Sequence, residues 1–200
     1  MRRPIDKGVI YVAYGDAAIN QVRIARQHLG RVHPYWKVAY LSDKRIKCRR
    51  GIPPAMWVAH KDTGGGVRDV KLQMDLVSPF EYTAYFDADT RVRYPLDAGW
   101  EMLRDGWDML IAPTRGQYKM LLGHIDSLGN APGEAQTTID EVGGRPFLAL
   151  QGGAMWFHKS ERIHRFFEVW REEWQRWQGQ DQAALMRALH RYPIKLWLLS

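Results

Sequence analysis

Thr83-Ala84-Tyr85-Phe86-Asp87-Ala88-Asp89-Thr90 sets an apolar, aromatic-rich run directly against two carboxylates spaced i, i+2. Side chains alternate faces along a strand, so Asp87 and Asp89 share a face if the strand carries on straight. If it ends there, both acids converge from a turn at its carboxyl end, where open α/β sheets bind ligands. Two hard oxygen donors so placed suit Mg²⁺ or Mn²⁺, ions that also hold a substrate's phosphates. The plain alternative is an Asx-type turn that stops a strand.

Upstream of this run, Ser78-Pro79 separates it from a helix predicted over residues 67–77, with Val70, Met74 and Val77 on one face. Thr63-Gly64-Gly65-Gly66 reads as a flexible loop before that helix. Strands are predicted over 8–14, 36–41 and 55–59, with Ser42-Asp43 and Pro53-Pro54 as breaks. After Gly15 a helix is expected, with Asp16 as its N-cap and Ala18, Ile19, Val22 and Leu29 as its apolar stripe.

Downstream, 107–112 reads as a strand, and 113–146 as a long irregular stretch with one short helix near 117–128. Two strands, 147–150 and 154–158, flank Gln151-Gly152-Gly153. Ser160 caps an amphipathic helix whose Ile163, Phe166, Phe167, Trp170, Trp174 and Trp177 follow the helical period. That spacing makes the tryptophans core first, although they could stack on sugars. Gly179 ends this helix, a second runs over 181–190, and residues 194–199 are apolar. Strands alternating with helices predict one α/β domain over 1–200, its central sheet mainly parallel and flanked by helices.

The chain has 200 residues, 46% hydrophobic and 26% charged, enough for a real core and contrary to wholesale disorder. No stretch approaches the roughly 18 apolar residues that span a bilayer. Met1-Arg2-Arg3-Pro4 runs into a strand-like segment rather than the apolar region of a signal peptide, and Cys48 is the only cysteine, so no disulfide framework and no cysteine zinc site is expected. A soluble cytoplasmic protein is the expectation. Of the net charge of +7, most comes from Lys44, Arg45, Lys47, Arg49 and Arg50. Such a patch suits a nucleotide diphosphate, a nucleic-acid backbone or an anionic glycan; the alternative is a solvated basic loop.

Three islands carry a family likeness. The first is Val9 to Gly15, then a helix and a strand ending in Ser42-Asp43. The second is Val70-Lys71-Leu72-Gln73-Met74-Asp75, followed by Ser78-Pro79-Phe80 and the run through Asp87-Ala88-Asp89. The third is Gln151-Gly152-Gly153-Ala154-Met155-Trp156-Phe157, with Gln180-Asp181-Gln182 further on. In this order they resemble the GT-A fold glycosyltransferases, in particular the glycogenin-like and lipopolysaccharide-galactosyltransferase-like branch.

The resemblance implies a hexosyltransferase-type enzyme with a nucleotide-sugar donor, expected to be a UDP-sugar. Mn²⁺ or Mg²⁺ would be held by Asp87 and Asp89, and Ala13, Tyr14, Gly15, Arg68, Lys71 and Ala88 would join the acids in donor binding. Residues 1–112 would form the donor half and 113–200 the acceptor side. There Gln151, Gly152 and Gly153 would make the sugar loop, with Asp181 and Gln182 the catalytic pair. Each has a structural alternative. Arg68 and Lys71 could be solvated helix residues, Tyr14 could be core, Gly152-Gly153 a plain turn, and Asp181 an N-cap. The acceptor stays open: a glycan, a lipid-linked sugar, a protein, or modified nucleic acid bound by the basic patch.

The chain departs from the family in two ways. Many relatives take a third metal ligand, a histidine, from a segment beyond the Asp-Gln helix, and none is assigned here. Gln151 also stands where the family has asparagine. Two other readings fit the residues: a GT-A-like domain that binds without turnover, and a haloacid-dehalogenase-type phosphatase using Asp87 and Asp89.

Overall fold

The computed structural model describes residues 5–46, 55–60, 66–113, 131–143 and 149–199. The first half begins with β1 (Ile5–Ala13), α1 (Gly15–Val32), β2 (Val38–Ser42) and β3 (Met56–Ala59). It continues through α2 (Gly66–Lys71), α3 (Met74–Val77), β4 (Phe80–Phe86), α4 (Ala98–Arg104) and β5 (Met109–Pro113). After these come α5 (Glu134–Glu141), β6 (Leu150–His158), α6 (Glu161–Gln175), α7 (Asp181–Arg191) and β7 (Leu196–Leu198).

Among the described residues, seven strands form one sheet in the order β3-β2-β1-β4-β6-β5-β7. β3, β2, β1 and β4 pair in parallel, as do β5 and β7. Only β6 runs the other way, antiparallel to β4 and to β5. The sheet is thus mainly parallel, as the alternation of elements predicts.

Alternating side chains of β1 explain the layering. Ile10 and Val12 face a core built with α2, α3, α6 and α7, whereas Val9, Tyr11 and Ala13 face α1 and α4. Burial on both faces is why the inner strands read as unbroken apolar runs. Gly8 is required beneath Phe80, because a Cβ there would lie 2.5 Å from that ring.

Several expectations need correction. The helix over 67–77 is two helices. Val70, Lys71, Leu72, Met74 and Asp75 are all buried, and one helical face cannot bury so many near-consecutive residues, so the chain turns at Leu72-Gln73. Asp16 is not the cap of α1. The cap position is Tyr14, and Asp16 sits exposed in the first turn, 3.0 Å from Lys44 Nζ. The irregular stretch contains α5, and α4 follows the acidic turn; both are short helices. α6 stops at Gln175, before Trp177. Cys48, Lys47, Arg49, Arg50 and the helix expected at 117–128 lie outside the described residues.

Candidate active site

The carboxyl end of β4 builds the site. Phe86 pairs with Ala154, and the ladder continues one step as the Asp87 N–H donates to the Gly153 carbonyl at 2.9 Å. The Thr90 N–H then donates to the Asp87 carbonyl at 2.9 Å, closing a four-residue turn. Of the two geometries open to the acids, this is the turn. The Asp87 side chain does not cap that turn, because its Oδ1 accepts from the Tyr85 hydroxyl at 2.5 Å. Tyr85 is two residues back on the same strand face and fully buried. Burial first, then the charge of Asp87, raises its phenol well above the ordinary value, so it stays protonated and donates.

Lys71 enters from the end of α2. It is not a solvated helix residue: it is 6% exposed. Its ammonium lies 2.8 Å from Asp181 Oδ2 and 3.7 Å from Asp87 Oδ1, and 5.5 Å from the centre of the Tyr85 ring. Burial alone would pull this ammonium down; Asp181 and Asp87 outweigh it and hold it above the usual lysine value. One turn earlier, Arg68 stands at the mouth, its Nη2 donating to Gln180 Oε1 at 2.8 Å and its Nε 3.9 Å from Asp181 Oδ1.

Asp181 opens α7, but capping is not its role. The cap position is Gln180, whose side chain makes no capping bond, and the Asp181 carboxylate turns inward to Lys71. The tryptophans of α6 hold this corner. Trp170 Nε1 donates to the Asp181 carbonyl at 3.0 Å and Trp174 Nε1 to the Gly179 carbonyl at 3.1 Å. The stripe is core as far as Trp174, and the indole N–H groups of Trp170 and Trp174 also fix the start of α7; Trp177 lies beyond the helix and outside the core.

Gln151-Gly152-Gly153 is not a loop between two strands but part of β6, where its pairing with β5 jumps from Met155 to Gln151. The bulge carries the glycines past the acids. A Cβ on Gly153 would lie 2.6 Å from Asp87 Oδ2, and one on Gly152 would lie 3.2 Å from Asp181 Oδ2. The absent side chains leave a pocket of about 420 Å³, lined by Gly66, Val67, Arg68, Lys71, Asp87, Gln151, Gly152, Gly153, Gln180, Asp181 and Gln182.

Eight of the sequence-derived site residues meet in this pocket. Ala13, Tyr14, Gly15, Ala88 and Asp89 do not line it, although the same sheet edge carries them. Ala13 is fully buried. The Tyr14 hydroxyl lies 2.6 Å from Nδ1 of His60, a residue the sequence does not single out. The Gly15 N–H faces Asp43 Oδ1 at 3.4 Å, Ala88 packs against the α1–α4 core, and Asp89 is exposed. Asp89 is still close enough for its charge to act on the Tyr85 phenol. Among the described residues no group of three or more His, Cys, Asp or Glu could hold a metal ion. Tyr85 and Gln180 carry no assigned role in the sequence analysis; the i, i+2 spacing of Tyr85 from Asp87 is the signal that points to the first.

No family model matches the chain, and no characterised protein matches its sequence. Solved structures do match its fold. Galactosyltransferase LgtC, solved in complex with donor and acceptor sugar analogs, superposes with a TM-score of 0.64 at 16% identity, covering 96% of this chain and 73% of that one. Mouse xyloside xylosyltransferase 1 gives 0.61 at 10% identity, covering 98% and 86%. The bifunctional glycosyltransferase WbbM gives 0.65 at 11% identity, covering 100% of this chain and 39% of that one. The fold of this chain is the GT-A fold of glycosyltransferases. In this chain the acidic turn follows β4, the fourth strand. Among the described residues no helix is long and apolar enough to cross a membrane.

Proposed function

We propose that this protein is a glycosyltransferase that moves a sugar, a hexose in the simplest case, from a nucleoside-diphosphate donor to an acceptor hydroxyl. One observation carries the reading: α2, the end of β4, the bulge of β6 and the start of α7 bring Lys71, Asp87, Gly152-Gly153 and Asp181 to one pocket. The shared fold supports it, and so does the position of the pocket at the carboxyl ends of the parallel strands.

Asp87 and Asp89 would hold Mn²⁺ or Mg²⁺. The donor set fits: two hard carboxylates stand on one turn, and Asp87 Oδ2 faces space that only a glycine at 153 leaves open. With no third protein ligand among the described residues, diphosphate and water would complete the shell. Such an ion neutralises charge gathering on the leaving diphosphate. Arg68 at the mouth adds a cation for the same phosphates, and Gly152 and Gly153 admit the sugar to the backbone. Asp181, held by Lys71, would meet the acceptor hydroxyl as base or as orienting acceptor.

A UDP-sugar is the expected donor. A modified nucleic acid as acceptor would meet the basic patch, in which Lys44 is paired with Asp16 at 3.0 Å. The test is release of nucleoside diphosphate from a panel of UDP-, GDP- and ADP-sugars with Mn²⁺, for wild type and Asp87→Asn. Turnover that vanishes in the variant supports the proposal. Binding without turnover favours the non-catalytic alternative, and turnover untouched by Asp87→Asn refutes the site.

A further inference from the structure

We infer that Tyr85 is a positioning residue that reserves one oxygen of Asp87 for the ligand. The inference rests on the glycosyltransferase reading for its ligand, but its geometry stands alone. A carboxylate on a turn can rotate about its terminal bond and present either oxygen. Here that freedom is removed from one side. The buried Tyr85 hydroxyl donates to Asp87 Oδ1 at 2.5 Å, and Lys71 Nζ approaches the same oxygen at 3.7 Å. Oδ2 is left facing Gly153, where an added Cβ would come within 2.6 Å.

Tyr85 cannot drift from this duty. Its backbone pairs with Met155 of β6 and Ile10 of β1, and its ring lies in the core under the Lys71 ammonium. The hydroxyl therefore arrives from the sheet interior, opposite the pocket side that Gly153 keeps clear. Asp87 then offers Oδ2 to a cation or phosphate-bound ion as a single, pre-aimed donor, rather than chelating with both oxygens. Pre-aiming removes an ordering cost that would otherwise be met at binding. A phenylalanine at 85 keeps the ring and loses only the hydroxyl.

The experiment compares wild type with Tyr85→Phe in two ways. The first is calorimetric titration of UDP with and without Mn²⁺, together with Mn²⁺ alone followed by electron paramagnetic resonance. The second is the crystal structure of the variant. We expect the melting temperature to stay within a few degrees, metal-free UDP binding to be unchanged, and Mn²⁺ affinity and Mn²⁺-dependent UDP affinity to fall by roughly tenfold, the scale of one charge-assisted hydrogen bond. The variant's Asp87 should show a rotated or doubly occupied carboxylate. Unchanged Mn²⁺ affinity, or an Asp87 carboxylate that keeps Oδ2 over Gly153 without the phenol, overturns the inference. If wild type binds neither UDP nor Mn²⁺, the functional reading fails, and the carboxylate orientation in the variant still decides the role of Tyr85.

Discussion

Lys71 Nζ sits 2.8 Å from Asp181 Oδ2, a buried ion pair between residues 110 positions apart. It ties the end of α2 to the start of α7 and places one cation between two carboxylates, Asp181 and Asp87. Such a pair is costly to break from one side, because Asp181 would stay buried with only Arg68, at 3.9 Å, beside it.

Lys71→Met should therefore destabilise the fold by about 3–5 kcal/mol in urea unfolding. The pH dependence follows from the raised value of the ammonium. Its stabilising contribution is whole below the unfolded value of 10.5 and is lost as pH climbs from there through the folded one. Wild type should lose stability steeply above that pH, and the variant should lose less. Equal slopes in alkaline unfolding would contradict the pairing.

Gly153→Ala and Gly152→Ala should differ in a fixed order. Neither glycine is held in a left-handed conformation, so the effect is steric. The methyl at 153 meets Asp87 Oδ2 at 2.6 Å and must push the carboxylate aside; the methyl at 152 meets Asp181 Oδ2 at 3.2 Å and needs only a small shift. Gly153→Ala is expected to lower donor turnover by roughly a hundredfold, the scale of an ångström's misplacement, and Gly152→Ala by much less. Steady-state kinetics on both variants would check the order.

Metal removal should separate the two acids of the turn. EDTA should suppress turnover in wild type, and Mn²⁺ should restore it. Asp87→Asn is expected to cost on the order of a hundredfold in kcat, comparable to losing one electrostatic group at a reacting centre. Asp89 is exposed, so Asp89→Asn should leave the melting temperature unchanged while raising the Mn²⁺ concentration needed for half-maximal rate. A variant lacking both acids that still responds to Mn²⁺ would place the ion elsewhere.

Glu173 should matter to stability and not to turnover. Fully buried, it accepts from Arg176 at 2.6 Å, Arg187 at 3.0 Å and Arg191 at 2.5 Å, and Arg187 also reaches Glu134 at 3.2 Å. Glu173→Gln would leave buried Arg187 short of a counter-charge, at a cost of about 3 kcal/mol or more. Burial works to raise the Glu173 carboxyl, but its arginine hydrogen bonds win and hold it below the ordinary 4.5. Its contribution is present above that value and fades as pH falls through the lower folded one. Glu134, which burial holds above 4.5, acts in the opposite sense. Acid unfolding curves of wild type and Glu173→Gln, with kcat measured at neutral pH, would check both halves.

Much of this was legible in the chain because local chemistry and tertiary role agreed. The Tyr85-to-Asp89 run ends a buried strand in a turn, and its aromatic-then-acidic order says so. Gly152 and Gly153 signal close approach, and the family likeness implies a sugar beside them; neither shows that they belong to a strand, because a bulge depends on what the neighbouring strand does. From sequence alone Lys71 and Asp181 each admit a plain alternative, solvation and capping. Only tertiary contact across 110 positions decides against both. The Glu173 cluster was invisible for the same reason: on a helix its acids and arginines look like an ordinary solvated face. Asp16 shows the reverse case, a residue with good capping chemistry that the chain path sets two positions past the cap, inside the first turn.

The lone reversed strand, β6, has a consequence for how the molecule matures. It fills the gap between β4 and β5 although it is the sixth strand made, so until it arrives β4 has an open edge and Asp87 lacks the Gly153 carbonyl. A nascent chain that stops short of residue 150 carries the acidic turn but no finished pocket. The finished pocket is thereby deferred until Asp181 has been made, and any cut between residues 113 and 150 parts Lys71 and Asp87 from Gly152, Gly153 and Asp181.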